Sequence, residues 1–240
     1  METIPPNVQG EIMSHSPIFR DRTCAGEQLA EAIHAIVTQM ASSGVSTQPI
    51  VYALPRGGLP VAAPVARLLG CPLDIVVAKK ISQPENPELA IGAVTSSGLV
   101  LWGKQTPFSR QHSRRRDAAL TEALNKAESQ LAQLSPACPT VNPQGALAIL
   151  VDDGIATGMT LAVAAQALRA QEPAEVWLCA PVAPLLLLPW LRQWGDRLIV
   201  LETPESFLSV SRFYAQFPQV ETEQALVYLQ QQNEWLGGSG

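Results

Sequence analysis

The stretch Ala146-Leu-Ala-Ile-Leu-Val-Asp-Asp-Gly-Ile-Ala-Thr-Gly-Met-Thr-Leu161 decides the fold of this chain. Its first six residues form an unbroken apolar run, which is typical of a strand that is buried on both faces of a parallel sheet. Two adjacent acids, Asp152 and Asp153, end the run, and a short loop then leads into an alanine-rich helical pattern that ends at Arg169. The stretch therefore predicts a strand, an acid pair, a loop and a helix, in that order.

The loop after the acid pair suits a phosphate group. Because the loop opens a helix, backbone N–H groups and the positive end of the helix dipole point at one position. Thr157 and Thr160 add hydroxyl donors, and the carboxylates of Asp152 and Asp153 can accept hydrogen bonds from the hydroxyls of a ribose. The alternative is an ordinary strand-to-helix turn in which Asp153 caps the helix.

The same stretch resembles the ribose-phosphate motif of type I phosphoribosyltransferases, in which an apolar strand, two acids, a small or apolar pair and a Thr-Gly-x-Thr loop follow one another. The resemblance implies that Asp152 and Asp153 hold the ribose at the reacting carbon and act as the catalytic acids. It also implies that the loop binds the 5′-phosphate through Ala156, Thr157, Gly158, Met159 and Thr160.

A second strand-loop-helix unit occurs earlier in the chain. Ile50 to Leu54 forms a short apolar strand, and the helical pattern Leu59 to Leu69 follows after a turn that contains Arg56, Gly57 and Gly58. The Arg56 guanidinium offers a fork of donors for phosphate, and the two glycines let backbone amides approach a ligand closely. A plain turn is the alternative. The resemblance implies that this loop binds diphosphate, and it places a non-proline cis peptide bond at Arg56–Gly57.

A third apolar strand, Leu73 to Ala78, is predicted to end in Lys79 and Lys80. Lysines at the carboxyl end of a parallel strand lie on the ligand side of an open α/β sheet, where cations can face a polyphosphate. Lys80 therefore joins the diphosphate-binding set, with a solvated strand end as the alternative.

The segment from about 81 to 135 is expected to be an insertion. Residues 81–88 are rich in proline and predict a mobile loop, and two short apolar runs around a Ser-Ser-Gly turn predict a β-hairpin over residues 89–102. A long helix is predicted from Pro107 to Leu134, with a cluster of basic residues, Arg110 to Arg116, in its first turns. This cluster is either a solvated face or a source of positive charge for a polyphosphate.

Further strands are predicted at Glu175 to Ala180 and Arg197 to Leu201, with a helix from Leu185 to Trp194 between them. Alternating strands and helices of these lengths predict an α/β fold with a doubly wound, mostly parallel sheet. We expect a single domain over residues 1–236, with a small C-terminal hood at about 202–236, and we interpret residues 237–240 as a linker remnant.

The predicted hood contains most of the aromatic side chains of its half of the chain. In purine phosphoribosyltransferases a comparable segment stacks an aromatic ring on the base, so the resemblance implies base binding by Phe207, Phe213 and Tyr214. Burial of these rings in the core is the alternative.

Several separate segments resemble one uncharacterised subfamily of bacterial phosphoribosyltransferases. They are Phe19 to Arg22, Leu54 to Ala62, Asn86 to Val94, Val151 to Thr160 and Leu201 to Phe207. The resemblance thus covers most of the chain, and it specifies the fold better than the substrate.

Composition excludes several other classes of protein. The chain of 240 residues is 47% hydrophobic with a net charge of −5, which argues against a nucleic-acid partner. The four cysteines form no C-x-x-C pair, so neither a zinc site nor a redox motif is indicated. The first 17 residues lack the apolar core of a signal peptide, and the most apolar window, Val176 to Trp190, is too short and too rich in proline to span a membrane. We therefore expect a cytoplasmic protein with no membrane association.

These observations predict a Mg²⁺-dependent phosphoribosyltransferase. Its partners would be phosphoribosyl pyrophosphate and an unidentified nitrogenous base or related amine. The metal would be held through the ligand and not by the protein. A homodimer is a possible assembly. The alternative is a non-catalytic sensor of phosphoribosyl pyrophosphate or a nucleotide on the same fold. This alternative stays open because the resemblance implies an arginine-rich stretch, including a Tyr-Arg pair, shortly before the acid-pair strand. This chain has Gln133 to Thr140 there, which contains neither arginine nor tyrosine. A nucleotide-cleaving hydrolase ranks last.

Overall fold

The computed structural model describes residues 17–44, 47–83, 86–103 and 110–237. In this part of the chain strands and helices alternate along the sequence, except that four strands follow one another between residues 73 and 102. In chain order they are α1 (Arg22–Ser42), β1 (Pro49–Ala53), α2 (Leu59–Leu69), β2 (Leu73–Ile75), β3 (Ala78–Gln83), β4 (Asn86–Thr95), β5 (Val100–Trp102), α3 (Arg110–Leu134), β6 (Leu147–Val151), α4 (Met159–Arg169), β7 (Glu175–Val182), α5 (Leu188–Leu191), β8 (Arg197–Glu202) and α6 (Thr222–Gly237).

A five-stranded parallel sheet with the order β2-β1-β6-β7-β8 forms the centre of the molecule. The strand order reverses between β1 and β6, which makes this gap the topological switch point of the sheet. Ala53 is in register with Val151, so both strands end at the same level. The loops that follow β1 and β6 therefore emerge side by side, and the predicted doubly wound fold is confirmed.

Side chains alternate between two cores, one on each face of the sheet. Val51 of β1 and Ile149 of β6 point toward α1, α2 and α6, whereas Tyr52 and Leu150 point toward α4 and α5. All five residues of β6 are buried, as expected for a strand covered on both faces. The continuous apolar run at Ala146–Val151 is explained by this double burial.

A second, antiparallel sheet with the order β3-β4-β5 stands beside the first. The predicted hairpin is present as β4 and β5, and Gly98 occupies its turn with φ +84°. Two predictions for this region are wrong. The strand that starts at Leu73 stops at Ile75 instead of Ala78, and the chain does not form a loop over 81–88, because β3 extends to Gln83 and β4 starts at Asn86. Residues 84 and 85 lie outside the described part.

The long helix α3 packs against β3 and β4, where Ala123 contacts a small apolar cluster that contains Ile81 and Val94. It begins at Arg110 in the described part, and the predicted start at Pro107 falls among residues outside it. The helix that we expected between Leu185 and Trp194 is a 3₁₀ turn followed by the four-residue α5.

The C-terminal segment returns to the start of the chain. Tyr214 forms an isolated β-bridge with Phe19, and α6 then packs on α2 and β2, where the Gln232 side-chain amide donates to the Cys71 carbonyl oxygen at 3.1 Å. Gly237, which we interpreted as part of a linker, is the last residue of α6, and residues 238–240 lie outside the described part.

Candidate functional site

Two loops meet at the switch point of the parallel sheet. The Leu54 N–H donates to the Val151 carbonyl oxygen at 2.9 Å, and this contact ties the start of the loop after β1 to the end of β6. A Cβ atom at Gly57 would lie 2.2 Å from Oδ2 of Asp153, and one at Gly58 would lie 2.6 Å from the Leu54 carbonyl oxygen. Glycine is therefore required at both positions, because the loop backbone lies directly against the acid pair and its own strand.

The cis peptide bond that we expected in this loop is present one residue earlier than predicted. It joins Pro55 to Arg56, and not Arg56 to Gly57. The resemblance identified the loop correctly but not the bond.

A cavity of about 380 Å³ opens where the two loops meet. It combines carboxylates, cations, amides and loop backbone, which is the mixture expected around a charged, hydroxyl-bearing ligand. Its lining residues are Arg22, Leu54, Pro55, Arg56, Gly57, Ala78, Lys79, Gln130, Asp152, Asp153, Thr160, Gln219 and Val220.

The acid pair lies at the floor of this cavity, and its electrostatics are unequal. Burial raises the pKa of Asp152 well above its ordinary value, and the neighbouring charge of Asp153 raises it further. Burial also raises the pKa of Asp153, but the Arg22 guanidinium opposes that shift. The Asp153 N–H donates to Oδ1 of Asp152 at 2.9 Å. Asp152 is thus the acid that retains a proton more readily, and Asp153 is the one held toward its ionised form.

Arg22 is the functional residue that sequence reasoning did not single out. Its Nε donates to Oδ2 of Asp153 at 2.7 Å, and its Nη1 donates to the Pro218 carbonyl oxygen at 2.6 Å. The guanidinium carbon lies 3.6 Å from the centre of the Phe217 ring, and the residue is only 9% exposed. The Asp153 carbonyl oxygen accepts a further hydrogen bond from the Tyr214 hydroxyl at 2.6 Å. Arg22 therefore connects the acid pair to the C-terminal segment.

The loop predicted to bind the 5′-phosphate opens α4. Gly158 precedes the helix with φ +74°, and a Cβ atom there would lie 2.7 Å from Trp190 and 2.8 Å from Leu191. The first turn of the helix leaves backbone N–H groups without intrahelical acceptors. Thr160 in this turn lines the cavity. Of the other predicted residues, Ala156 and Thr157 are exposed and Met159 is buried.

On the opposite side of the cavity lie the cations of the predicted diphosphate site. Nη1 of Arg56 donates to Oγ1 of Thr222 at 2.9 Å, so the first residue of α6 holds this side chain. Lys79 lines the cavity, whereas Lys80 is exposed and is not among the lining residues. The reason is strand alternation, because β3 is an antiparallel strand beside the main sheet and directs its consecutive side chains to opposite faces.

The aromatic residues predicted to bind a base form a cluster of their own. Phe213 and Tyr214 are buried with Phe19, and the Phe207 and Phe213 rings stack at 5.5 Å. Phe207 is half-buried, and none of the three predicted residues lines the cavity between the loops. The structure thus brings the acid pair, Arg56 and Gly57 together around the cavity, whereas of these three rings only Tyr214 reaches the acid pair, through its hydroxyl on the Asp153 carbonyl oxygen.

The described arginines of the cluster at the start of α3, Arg114 to Arg116, do not line the cavity. The Arg116 guanidinium carbon lies 4.0 Å from the Trp102 ring centre, and Arg114 and Arg115 are exposed. The Arg110 side chain lies outside the described part.

No group of three or more His, Cys, Asp or Glu side chains in the described ranges is arranged to hold a metal ion. The carboxylates that line the cavity are Asp152 and Asp153, and two carboxylates suit a hard cation only when a ligand supplies more oxygens. Likewise, no described helix combines the length and apolarity that crossing a membrane requires.

A doubly wound sheet with two loops beside an acid pair at its switch point is the arrangement that the resemblance implied. A family model of the phosphoribosyl transferase domain matches residues 25–185, which is more than half of the chain. The chain belongs to the phosphoribosyl transferase family.

The relatives agree with this assignment. Two candidate phosphoribosyl transferases of Mycobacterium tuberculosis, from strains CDC 1551 and H37Rv, are each 32% identical to the chain over 213 residues. The match covers 88% of this chain and 46% of each relative, so the chain spans about half of their length. The crystal structure of TT1426 from Thermus thermophilus is 31% identical, with a TM-score of 0.69, and the match covers 89% of this chain and 98% of that chain.

Proposed function

We propose that the protein is a Mg²⁺-dependent phosphoribosyltransferase that uses phosphoribosyl pyrophosphate. It transfers the phosphoribosyl group to a nitrogenous base or a related amine and releases diphosphate. The observation that carries this proposal is the approach of the loop after β1 to the acid pair after β6, where only a glycine at position 57 fits beside Asp153. A ligand with a ribose and two separate phosphate groups matches this pair of loops.

The acid pair is proposed to hold the ribose. As diphosphate leaves, positive charge develops on the sugar ring, and catalysis consists mainly of positioning and charge stabilisation. Asp153, which Arg22 holds toward its ionised form, supplies negative charge beneath the ring, and Asp152 supports a ribose hydroxyl. No nucleophilic side chain is required in this scheme.

The two ends of the ligand have different cradles. The 5′-phosphate is proposed to bind at the first turn of α4, in the loop formed by Ala156, Thr157, Gly158, Met159 and Thr160. The diphosphate is proposed to bind Arg56, Gly57 and Gly58. Lys79 joins them because it lines the cavity, and Lys80 becomes a candidate only for a ligand that extends past the cavity.

Mg²⁺ fits this site as a metal shared with the ligand. It takes oxygen ligands and usually retains waters, so one or two carboxylates with phosphate oxygens form a suitable set. When bound, the ion would neutralise charge on the diphosphate. Asp152 and Asp153 are the protein groups near enough to the cavity to contribute, either directly or through water.

The acceptor side of the proposal is carried by fewer contacts. Phe213 and Tyr214 are enclosed in the core, so the half-buried Phe207 is the remaining member of the predicted set with a partly open face for stacking. We place the activity in the cytoplasm, with a homodimer as the assembly to be tested.

A sensor of phosphoribosyl pyrophosphate is the second candidate. It is favoured by the segment Gln133 to Thr140, which carries no arginine or tyrosine where relatives carry an arginine-rich stretch. The same cavity would then bind the ligand without turnover.

Calorimetric titration of phosphoribosyl pyrophosphate with Mg²⁺, followed by a screen of purine, pyrimidine and amine acceptors for diphosphate release, separates the two candidates. The transferase proposal expects binding, and release with at least one acceptor. Binding without release against the whole panel would favour the sensor, and absence of binding would contradict both.

A further inference from the structure

A second cavity adjoins the first on the side of α3. Its volume is about 510 Å³, and it shares Arg56, Lys79 and Gln130 with the cavity between the loops. We call it the α3 cavity. The proposed diphosphate site at Arg56 and Lys79 therefore lies where the two cavities join.

One face of α3 that lines this cavity is entirely polar. The residues recur at positions i, i+3, i+4, i+7, i+8 and i+11, which places them on one side of a helix. They are Glu122, Asn125, Lys126, Ser129, Gln130 and Gln133. The apolar residues of the same helix, such as Ala123 and Ala127, are directed into the hydrophobic clusters instead. Most of the polar side chains are exposed, so this face can hydrogen-bond to a charged ligand as well as to water.

The charges around the α3 cavity are out of balance. Lys79 has no ion-pair partner within the described ranges. Burial lowers the pKa of Lys79, and the nearby charges of Arg56 and Lys126 lower it further. Lys126 pairs with Glu122 at 2.5 Å, but both side chains are about two thirds exposed, at 65% and 68%, so solvent screens this pair. Three cations therefore border the space with a single carboxylate, and a bound anion would relieve their mutual repulsion.

Gln130 connects the two cavities and has unused hydrogen-bonding capacity. Its Oε1 atom is buried without a hydrogen-bond partner in the part of the chain described. A buried polar atom of this kind usually finds a partner in water or a ligand. Because Oε1 can only accept, it suits water or a hydroxyl of a ligand, and an anion at the junction would be contacted by the Nε2 amide of the same side chain.

We propose that the α3 cavity is a binding subsite for a phosphate-class anion, formed by Lys79 and Arg56 at the junction and by Lys126 and Gln130 on α3. Two sources share this chemistry. The anion is either the far end of the diphosphate in the proposed transferase site, an assignment that rests on the proposed function, or a separate inorganic phosphate.

The test compares Lys126→Ala with the matched control Glu122→Ala in the full chain. Both changes break the same ion pair, but only the first removes a cation. Calorimetric titration with inorganic diphosphate is expected to show affinity weakened about threefold to tenfold in Lys126→Ala, and unchanged or stronger in Glu122→Ala. Equal affinities in the wild type and both variants, equal weakening in both variants, or no binding to the wild type would overturn the subsite.

A second titration identifies the source of the anion. Inorganic phosphate is added to protein already saturated with diphosphate. If no further phosphate binds, the anion is the end of the diphosphate itself. If phosphate binds in addition and Lys126→Ala weakens that binding, the anion is a separate one. Additional binding that Lys126→Ala leaves intact counts against the subsite. Because neither titration involves turnover, the subsite and the transferase proposal can fail independently.

Discussion

At the scale of single residues, the chemistry of the cavity depends on how Arg22 distinguishes two adjacent acids. The guanidinium contacts Asp153 at 2.7 Å and lies against an aromatic ring at 3.6 Å, so it is fixed on two sides. Asp152 lacks this contact, and burial dominates its pKa. The two carboxyls therefore differ in how readily each releases its proton, and they titrate as a coupled pair.

Replacement of Arg22 should change the pH dependence of the proposed reaction. In Arg22→Gln the pKa of Asp153 loses the interactions that lower it, so the acid limb of the rate of diphosphate release should move to higher pH. Arg22→Lys keeps the positive charge, so its acid limb should lie between that of the wild type and that of Arg22→Gln.

The matched control for this change is Arg20→Gln, because Arg20 also pairs with an aspartate, Asp21, but has a side chain that is 67% exposed. Its acid limb is expected to coincide with that of the wild type. An unshifted limb in Arg22→Gln would show that Asp153 does not titrate under the control of Arg22.

The sequence could identify Asp153 but not Arg22, and the reason is distance along the chain. Asp153 lies in a local pattern of strand, acids and loop, all of which is visible within a short window. The partner of Arg22 is 131 positions away, and nothing around Arg22 except the helix cap at Asp21 indicates that its side chain is buried. The contact becomes visible only when α1 is packed on the sheet.

At the scale of elements, side chains of α5 pack directly against the loop before α4 and restrict its backbone. Gly158 has a left-handed backbone and lies too close to Trp190 and Leu191 for any side chain. The short helix α5 thus defines the height and direction of the loop proposed to bind the 5′-phosphate.

Gly158→Ala should therefore impair both stability and ligand binding. A methyl group at φ +74° that also meets two packed side chains is expected to cost about 2–4 kcal/mol of unfolding free energy, and phosphoribosyl pyrophosphate should bind at least about tenfold more weakly. Urea unfolding and calorimetry measure the two effects.

Gly98→Ala provides the comparison, since Gly98 has φ +84° with no atom within 4 Å of an added Cβ. It should lose only about 1 kcal/mol, with unchanged ligand affinity. Equal behaviour of the two variants would mean that the contact with α5 does not shape the loop.

Element prediction from sequence succeeded where one segment carries its own signal. The apolar run of β6 and the helix after it were recognisable, and Asp21 caps α1 by accepting from the Cys24 N–H at 2.8 Å. Strand β3 was missed because the prolines that follow it indicated a loop. Its partner is β4 in a separate sheet, and this pairing has no local signal in the sequence. The sequence also could not show that Lys79, and not Lys80, lines the cavity, because the face to which a side chain points cannot be known before the sheet of its strand is known.

At the scale of the whole molecule, the site is assembled from parts that are remote in the sequence. The register of β1 with β6 brings the two loops together, α1 supplies Arg22, and the first residue of α6 holds Arg56 through Thr222. The fold class and the two strand-loop-helix units could be predicted from the alternation of strands and helices. The contributions of both ends of the chain could not, because they depend on packing against the finished sheet.

The measurement that tests the central claim most directly is diphosphate release by Asp152→Asn/Asp153→Asn, assayed with phosphoribosyl pyrophosphate, Mg²⁺ and an acceptor that supports turnover by the wild type. The folded protein should survive this change. Burial raises the pKa of both acids, so their ionised forms oppose folding increasingly as pH rises above the ordinary carboxyl range, and neutral amides remove that penalty.

We expect turnover to fall by at least about a thousandfold in this double variant, while circular dichroism and urea unfolding show a native fold. A folded double variant that releases diphosphate at the rate of the wild type would contradict the claim that this acid pair is the centre of a phosphoribosyltransferase site.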